Sequence, residues 1–168
     1  MAEVETTQAL LIMALKDLLD GEAALVERLA GVADASSDPE FKKLIMADRA
    51  RSGSQRERLA AILEGLGENP EGTENVWLRA ILDDADHDAA TIARGALRDI
   101  ALTGALRKAK QSERVSYETA LALANQLDVV KAAEDLRGHR DEEQAADEAL
   151  AAVLAKLVAA LEQGRSTA

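Results

Sequence analysis

Charged side chains interrupt the apolar seam of each long helix that the sequence predicts, close to the middle of the helix. In the first segment the seam advances in alternating steps of four and three residues, and it reads Leu11, Leu15, Leu18, Glu22, Leu25, Leu29, Val32. The other ionisable seam positions are Arg51, Lys110, Glu113, Glu143 and Asp147. A buried charge is costly unless it is paired or bound to a metal ion. Interruptions at one level of four helices therefore predict a shared polar layer inside a bundle.

The helical phase leaves two of these positions open. A shift by one residue puts Ser52 rather than Arg51 on the seam, and Ala146 rather than Asp147. In that second phase Arg51 and Asp147 face water instead of the layer.

The composition suits closely packed helices. The chain has 168 residues, of which 48% are hydrophobic, yet its only aromatic residues are Phe41, Trp77 and Tyr117. The core must therefore consist of Leu, Ile, Val and Ala. The two prolines leave long uninterrupted segments, and none of these segments shows the alternation of a β-strand. We predict one all-α domain over residues 1–168, with a frayed tail over about 164–168.

The charge balance excludes several classes of partner. A net charge of −11 argues against binding to nucleic acid or to an anionic membrane surface. No run approaches the ~18 apolar residues of a membrane span. Acidic residues precede the apolar run 9–15, which we interpret as helix rather than as a signal peptide. Without cysteine, disulfides and thiolate metal sites are ruled out, and the expected location is the cytoplasm.

Capping and turn signals divide the chain into four long helices and one short helix. The long helices A to D are expected over about 6–33, 39–66, 92–127 and 128–163, and the short helix over about 74–87. Ser37 or Asp38 is a suitable N-cap for helix B, Pro39 suits its first turn, and Gly67 follows its end. Asp128 is the expected N-cap of helix D.

The lengths of the connections predict the topology. The A–B loop is short, so helices A and B should be antiparallel. The B–C connection, 67–91, is nearly as long as a bundle helix and returns the chain to its starting end. Helices B and C should therefore be parallel, as in a ferritin-like four-helix bundle with a long B–C crossover that contains the short helix.

Four motifs in order then show a resemblance to a known family. They are LLDGEAAL at 18–25, ERL at 57–59 leading to LGENP at 66–70, Glu113 with Tyr117, and EEQAAD at 142–147. Over about residues 11–155 the chain resembles the YciE/YciF family of ferritin-like bacterial stress proteins. That resemblance implies a small di-iron carboxylate bundle, a homodimer, and an association with stress responses.

The metal ligands that the resemblance implies carry over unevenly. Metal-type positions are occupied by Glu22, Gln55, Glu113, Glu143 and Asp147. Arg51 and Lys110, however, stand where the family usually has acidic residues. Cations there would repel divalent metals and would instead form core ion pairs with the remaining carboxylates. A partial site that holds one ion with Glu113, Glu143 and Asp147 is the alternative.

We therefore expect a non-catalytic stress protein without a cofactor, whose metal centre is degenerate. The first alternative is a working iron or manganese carboxylate protein, ferroxidase-like or peroxide-consuming, which leaves the question of an enzyme open. The second is an acidic helical adaptor for a protein partner. His139 shares a helix face with Glu143 or is solvated, and Trp77 is a packing anchor or part of a dimer surface.

Overall fold

The computed structural model describes residues 3–166, with side chains up to residue 162, and this part of the chain contains helices and no strand. The helices are α1 (Thr7–Ala35), α2 (Pro39–Gly65), α3 (Val76–Thr91), α4 (Ala96–Gln126) and α5 (Val130–Ser166). The prediction of an all-α bundle with a short helix in a long crossover is confirmed. In the described part of the chain, no helix combines the length and the apolar character needed to cross a bilayer.

Side chains cap the N-termini of three helices. The backbone N–H of Ala9 donates to the Thr6 hydroxyl at 3.1 Å, and that of Phe41 donates to the Asp38 carboxylate at 2.8 Å. At the start of α3, Asn75 accepts from the N–H of Leu78 at 3.0 Å. Each cap satisfies a backbone donor that has no partner within its helix. Of the two expected caps for α2, the structure uses Asp38.

The C-termini of α2 and α4 share one geometry. Gly67, with φ 78°, and Asp128, with φ 55°, adopt the left-handed conformation just after each helix. The next residue then bonds back across the last turn, from Glu68 N to Leu63 O and from Val129 N to Ala124 O. This is the Schellman arrangement. Asp128 therefore ends α4, and its expected role as the N-cap of the following helix was wrong.

Other boundaries shift by a few residues. The short helix begins at Val76 and ends at Thr91, later than the predicted 74–87, and α4 begins after Gly95, whose φ is 136°. The last helix continues to Ser166, so residues 164–166 are helical, whereas the sequence predicted that they would fray. The rest of the predicted frayed tail, 167–168, lies outside the described residues.

The crossover runs beside α1 in the same direction. Near its start Trp77 donates its indole N–H to Asp17, and further on Arg28 of α1 pairs with Asp83. The chain therefore reaches the C-terminal end of α1 before α4 begins, where the backbone N–H groups of Ser37 and Asp38 meet the Asp99 carboxylate. Since α2 begins at the same end, α2 and α4 are parallel, as predicted.

The apolar core is divided into two halves along the bundle. One cluster, which includes Leu29, Ile45 and Leu102, fills the end where α2 and α4 begin. The other, which includes Leu15 and Leu59, fills the opposite end. Burial of each Leu or Ile contributes roughly 1.5–3 kcal/mol, so both clusters hold the helices together. Polar side chains occupy the level between them.

The first prediction concerns Asp99, which ties α4 to the α1–α2 turn. Its carboxylate is 1% exposed and accepts from Ser37 N at 2.9 Å and from Asp38 N at 2.7 Å. Asp99→Ala leaves these donors without a partner, so we expect the free energy of unfolding in urea to fall by about 1–3 kcal/mol. Glu57→Ala, an exposed change within α2, should stay within about 0.5 kcal/mol. Equal effects of the two variants would show that the carboxylate does not hold the turn.

Candidate functional site

A layer of polar side chains lies between the two apolar clusters, and all four long helices contribute to it. Its members, none more than 6% exposed, are Glu22 of α1, Asp48, Ser52 and Gln55 of α2, Lys110, Glu113 and Tyr117 of α4, and His139 and Glu143 of α5. On each helix these residues are three or four positions apart, so they continue the inward-facing stripe that the leucines form on either side. The predicted polar layer therefore exists, with a membership that differs in part.

Lys110 lies at the centre of the layer. Its ammonium nitrogen is 2.8 Å from an oxygen of Glu113, 2.8 Å from one of Glu143 and 3.1 Å from one of Asp48. At these distances the ammonium forms an ion pair with each of the three groups, and Coulombic attraction holds them together. Burial lowers the pKa of Lys110, but the surrounding carboxylates outweigh it and raise that pKa well above its usual value. The side chain is an ammonium ion at neutral pH.

Glu22 completes the layer on the α1 side. The Tyr117 hydroxyl donates to one of its carboxyl oxygens at 2.5 Å. Burial, and then repulsion by Glu143, raise the pKa of Glu22 to about 8, although Lys110, Tyr117 and Ser52 partly offset this. At neutral pH Glu22 is therefore protonated in most molecules.

The charge balance of the layer requires bound protons. The four carboxyl groups of Glu22, Asp48, Glu113 and Glu143 face the one buried ammonium group of Lys110, and Arg51 at the rim pairs with Asp48. Burial raises the pKa of Glu113 well above its usual value, as it does for Glu22, and nearby carboxylates add to this effect while Lys110 opposes it. A proton on Glu22 reduces the excess negative charge that burial would otherwise penalise.

Gln55 links the layer to the α2–α5 surface. Its side-chain amide donates to Glu143 at 2.8 Å and to Glu142 at 3.0 Å. The half-buried Arg58 pairs with the same Glu142 at 2.8 Å. These contacts close the gap between α2 and α5 on one side of the layer.

His139 is buried in the layer. Of the two alternatives for this residue, the structure therefore supports the inward-facing one, which shares a helix face with Glu143, and not the solvated one. Its ring meets that of Tyr117 edge to face, with centroids 5.1 Å apart and an interplanar angle of 84°. Neither ring nitrogen has a hydrogen-bond partner among the described residues. Burial, reinforced by Arg58 and weakly opposed by Asp135, lowers the pKa of His139 to about 3, so the imidazole is neutral.

Two predicted members of the layer lie at its rim instead. The Arg51 side chain is 31% exposed and pairs with Asp48 at 3.0 Å. Asp147 is 18% exposed and pairs with Arg107 at 2.6 Å, and this hydrogen bond lowers the pKa of Asp147. The helical phase is the one that places Ser52 on the seam and Asp147 off it. The prediction that Arg51 is a core residue was wrong, because it is turned about 100° from Ser52 on the helix.

Four members of the layer were not among the predicted site residues. They are Asp48, Ser52, Tyr117 and His139. The seam spacing from Ile45 to Leu59 passes through Asp48, Ser52 and Gln55 in steps of three and four, so the sequence did contain the signal for α2.

These residues do not fit a dinuclear metal centre. Of the metal-type positions, Glu22, Gln55, Glu113 and Glu143 line the layer, but the Lys110 ammonium stands between the carboxylates that would bridge two ions. The amide nitrogen of Gln55 points toward Glu143, where it donates a proton rather than a lone pair. Within residues 3–162 no three acidic or histidine side chains are grouped so that they could hold a metal ion.

Comparisons with known proteins agree with this architecture. The family model described as a domain of unknown function, DUF892, matches residues 6–161. Protein YciF of Escherichia coli strain K12 is 28% identical over 145 residues, which cover 86% of this chain and 87% of YciF. The crystal structure of the E. coli stress protein YciF matches with a TM-score of 0.88 and 27% identity, over 92% of this chain and 98% of that one. The resemblance found in the sequence is confirmed.

A second solved structure shows the same fold. The protein YcfI from Rhodopseudomonas palustris matches with a TM-score of 0.85 at 23% identity. The match covers 88% of this chain and 94% of that one.

The second prediction is that stability falls as the pH rises from 6.5 to about 8. Native Glu22, with a pKa of about 8, keeps a proton that the unfolded chain releases near pH 4.5. The native state therefore binds more protons, and the slope of the unfolding free energy is on the order of −1 kcal/mol per pH unit. His139 acts in the opposite direction, but only between pH 3 and 6.5, where the unfolded chain is the form that gains a proton.

Urea unfolding of Glu22→Gln tests this assignment, because glutamine resembles the protonated acid and does not titrate. The variant should lose much of the slope between pH 6.5 and 8, while the exposed Glu57→Gln should keep the slope of the wild type. An unchanged slope in Glu22→Gln would show that Glu22 is already ionised in the native protein.

Proposed function

The chain belongs to the DUF892 family, and on that premise we propose that it is a non-catalytic, stress-associated ferritin-like protein in which a lysine replaces the metal centre. The observation that carries this proposal is the position of the Lys110 ammonium, within 3.1 Å of carboxylates from α2, α4 and α5. The relative named as the E. coli stress protein YciF supports the association with stress.

The chemistry of lysine explains why the layer should be structural. An ammonium ion supplies one fixed positive charge and holds three carboxylates by Coulombic attraction. It has no second oxidation state and no vacant coordination position. In a di-iron bundle the reaction depends on the metal's second oxidation state and on its vacant coordination position, whereas the carboxylates mainly bind the metal and adjust its properties.

The main rival is an iron or manganese carboxylate protein that acts on oxygen or peroxide. The excess of four buried carboxyl groups over one ammonium favours it, because a divalent cation would balance that charge better than bound protons do. Metal binding would require the Lys110 side chain to leave the layer. That movement would take its ammonium away from three partners at once.

The third prediction separates these two functions. We expect wild-type protein, purified after growth with added iron or manganese, to contain little of either metal and to melt at the same temperature with and without them. Lys110→Glu should be much less stable without metal, because five crowded acids replace four acids and a cation. Ferrous or manganous ions should then raise its melting temperature by mass action.

Lys43→Glu is the control, since this lysine is exposed on α2 and lies outside both the layer and the grooves around Val115. It should melt close to the wild type and show no dependence on metal. A large metal-dependent rise in the melting temperature of the wild type would favour the metalloprotein function. A Lys110→Glu variant as stable as the Lys43→Glu control would contradict the central role of Lys110.

We also propose that the protein is a homodimer that associates through one face of α1 and α4. Two copies with a net charge of −11 each repel one another, so they can meet only where the surface is nearly uncharged. Such a face surrounds Leu10, Met13 and Val115, which are 38%, 47% and 53% exposed, and it continues to Trp77; its charged lining residues are Asp17 and Lys108. Depletion of charge with Met and Trp present is typical of interface cores.

The fourth prediction is that Val115→Glu converts the dimer into a monomer, because it places an unpaired charge in the centre of this face. Light scattering after size exclusion measures the mass. Val158→Glu, at an exposed valine on α5, is the matched control and should leave the dimer intact. A monomeric wild type would exclude the homodimer, and a dimeric Val115→Glu would place the interface elsewhere.

A further inference from the structure

A narrow crevice between α2 and α5 reaches the interior of the bundle next to the polar layer. It encloses about 80 Å³ and ends at Leu106 of α4, a side chain that is 1% exposed. Asp48 and Arg51 lie along the same crevice. It is therefore an opening through which the centre of the bundle approaches solvent.

Small side chains explain why the crevice exists at this position. The α5 wall carries Ala145, Ala146 and Ala149, and the α2 wall carries Ala47. Helices that present alanine to one another leave a gap when their axes are held apart by larger residues elsewhere. Nearer the other end of the bundle, Gln55 and its partners bridge the same two helices and close the gap.

Arg51 lies at the outer end of this opening, where one ion pair holds its side chain. Its described contact is one bond from Nη1 to Asp48 at 3.0 Å, and its side chain is 31% exposed. The Asp48 side chain is 8% exposed, so the pair joins a half-exposed guanidinium to a buried carboxylate. The other carboxylate oxygen of Asp48 lies 3.1 Å from the Lys110 ammonium. Asp48 therefore joins the crevice directly to the ion pairs of the layer.

We infer that this crevice is the access path by which small uncharged solutes reach the buried layer, and that the Arg51 side chain is its gate. The apolar walls favour water-sized or slightly larger neutral molecules, because ions lose their hydration there without compensation. A water molecule occupies ~30 Å³, so the space holds only a few. The path would serve a lysine-centred layer and a metal-bound one equally, so it does not rest on the proposed function.

The absence of cysteine makes the path testable with a single thiol. Leu106→Cys places that thiol at the inner end of the crevice, and its reaction with methyl methanethiosulfonate, a small neutral reagent, is followed by intact mass. In this background Arg51→Ala removes the gate and should speed labelling by about fivefold or more, the factor expected when one ion pair no longer holds a closed state. Ala149→Leu fills the crevice and should slow labelling by a similar factor.

Two controls separate gating from general loosening of the fold. Arg107→Ala removes the comparable pair with Asp147, which does not line the crevice, and should leave the rate within about twofold of the background. A second probe, Leu82→Cys, lies in the apolar core away from the crevice, and its labelling should not respond to Arg51→Ala.

Two results would support the inference together: faster labelling in Arg51→Ala and slower labelling in Ala149→Leu, both confined to the thiol of the Leu106→Cys probe. Equal acceleration by Arg51→Ala and Arg107→Ala would overturn the role of Arg51. Acceleration of the Leu82→Cys probe as well would assign access to unfolding rather than to the crevice. No slowing in Ala149→Leu would show that the reagent enters by another route.

Discussion

The contact between the Lys110 ammonium and its carboxylates fixes how the four long helices meet. It joins α4 to α2 through Asp48 and to α5 through Glu143, and the charge of Lys110 also acts on Glu22 of α1. Such a group need not add stability relative to an apolar core, since desolvation can outweigh the Coulombic gain. Its effect is on register, because sliding any of these helices by one turn would leave the ammonium or a carboxylate buried without a partner.

The same cluster favours a bound proton on Glu22, whose pKa burial raises to about 8. Its acids outnumber its ammonium, so protonation of Glu22 reduces the charge that a second cation would otherwise balance. His139 lies in the same layer and stays neutral there, so acidification lowers the stability of the fold by protonating this ring in the unfolded chain. A rise in pH also lowers stability, because the unfolded chain releases the proton that buried Glu22 keeps. Stability should therefore be greatest at an intermediate pH that is set by the buried groups and not by the net charge of −11.

The fold was predictable because two signals agreed along most of the chain. The spacing of Leu11 to Val32 fixed the inward face of α1, including Glu22, and the length of the crossover fixed the parallel arrangement of α2 and α4. The layer was predictable only in part. Neighbours on a helix are separated by about 100°, so an error of one residue exchanged Ser52 for Arg51. The error mattered because α2 has no continuous leucine stripe at that level to fix its phase.

Other features depended on tertiary context that the sequence does not show. Aspartate is common both at helix N-caps and in the left-handed turn that ends a helix. Because the connection between α4 and α5 is short, Asp128 adopts the left-handed turn. The burial of His139 depended on Tyr117, which lies on another helix and covers its ring. Neither outcome follows from periodicity alone.

The two sides of the bundle protect the layer unequally. On the α1 side the crossover covers the bundle, and the indole N–H of Trp77 in the crossover donates to Asp17 of α1. Burial raises the pKa of the Asp17 carboxyl, although this hydrogen bond lowers it. On the α2–α5 side no helix covers the gap in the described part of the chain, and side chains alone close it. The buried charges are therefore shielded by backbone on one side and by rotatable arginine and glutamine side chains on the other. Because side chains move faster than packed helices, exchange between the layer and solvent should occur through the α2–α5 side.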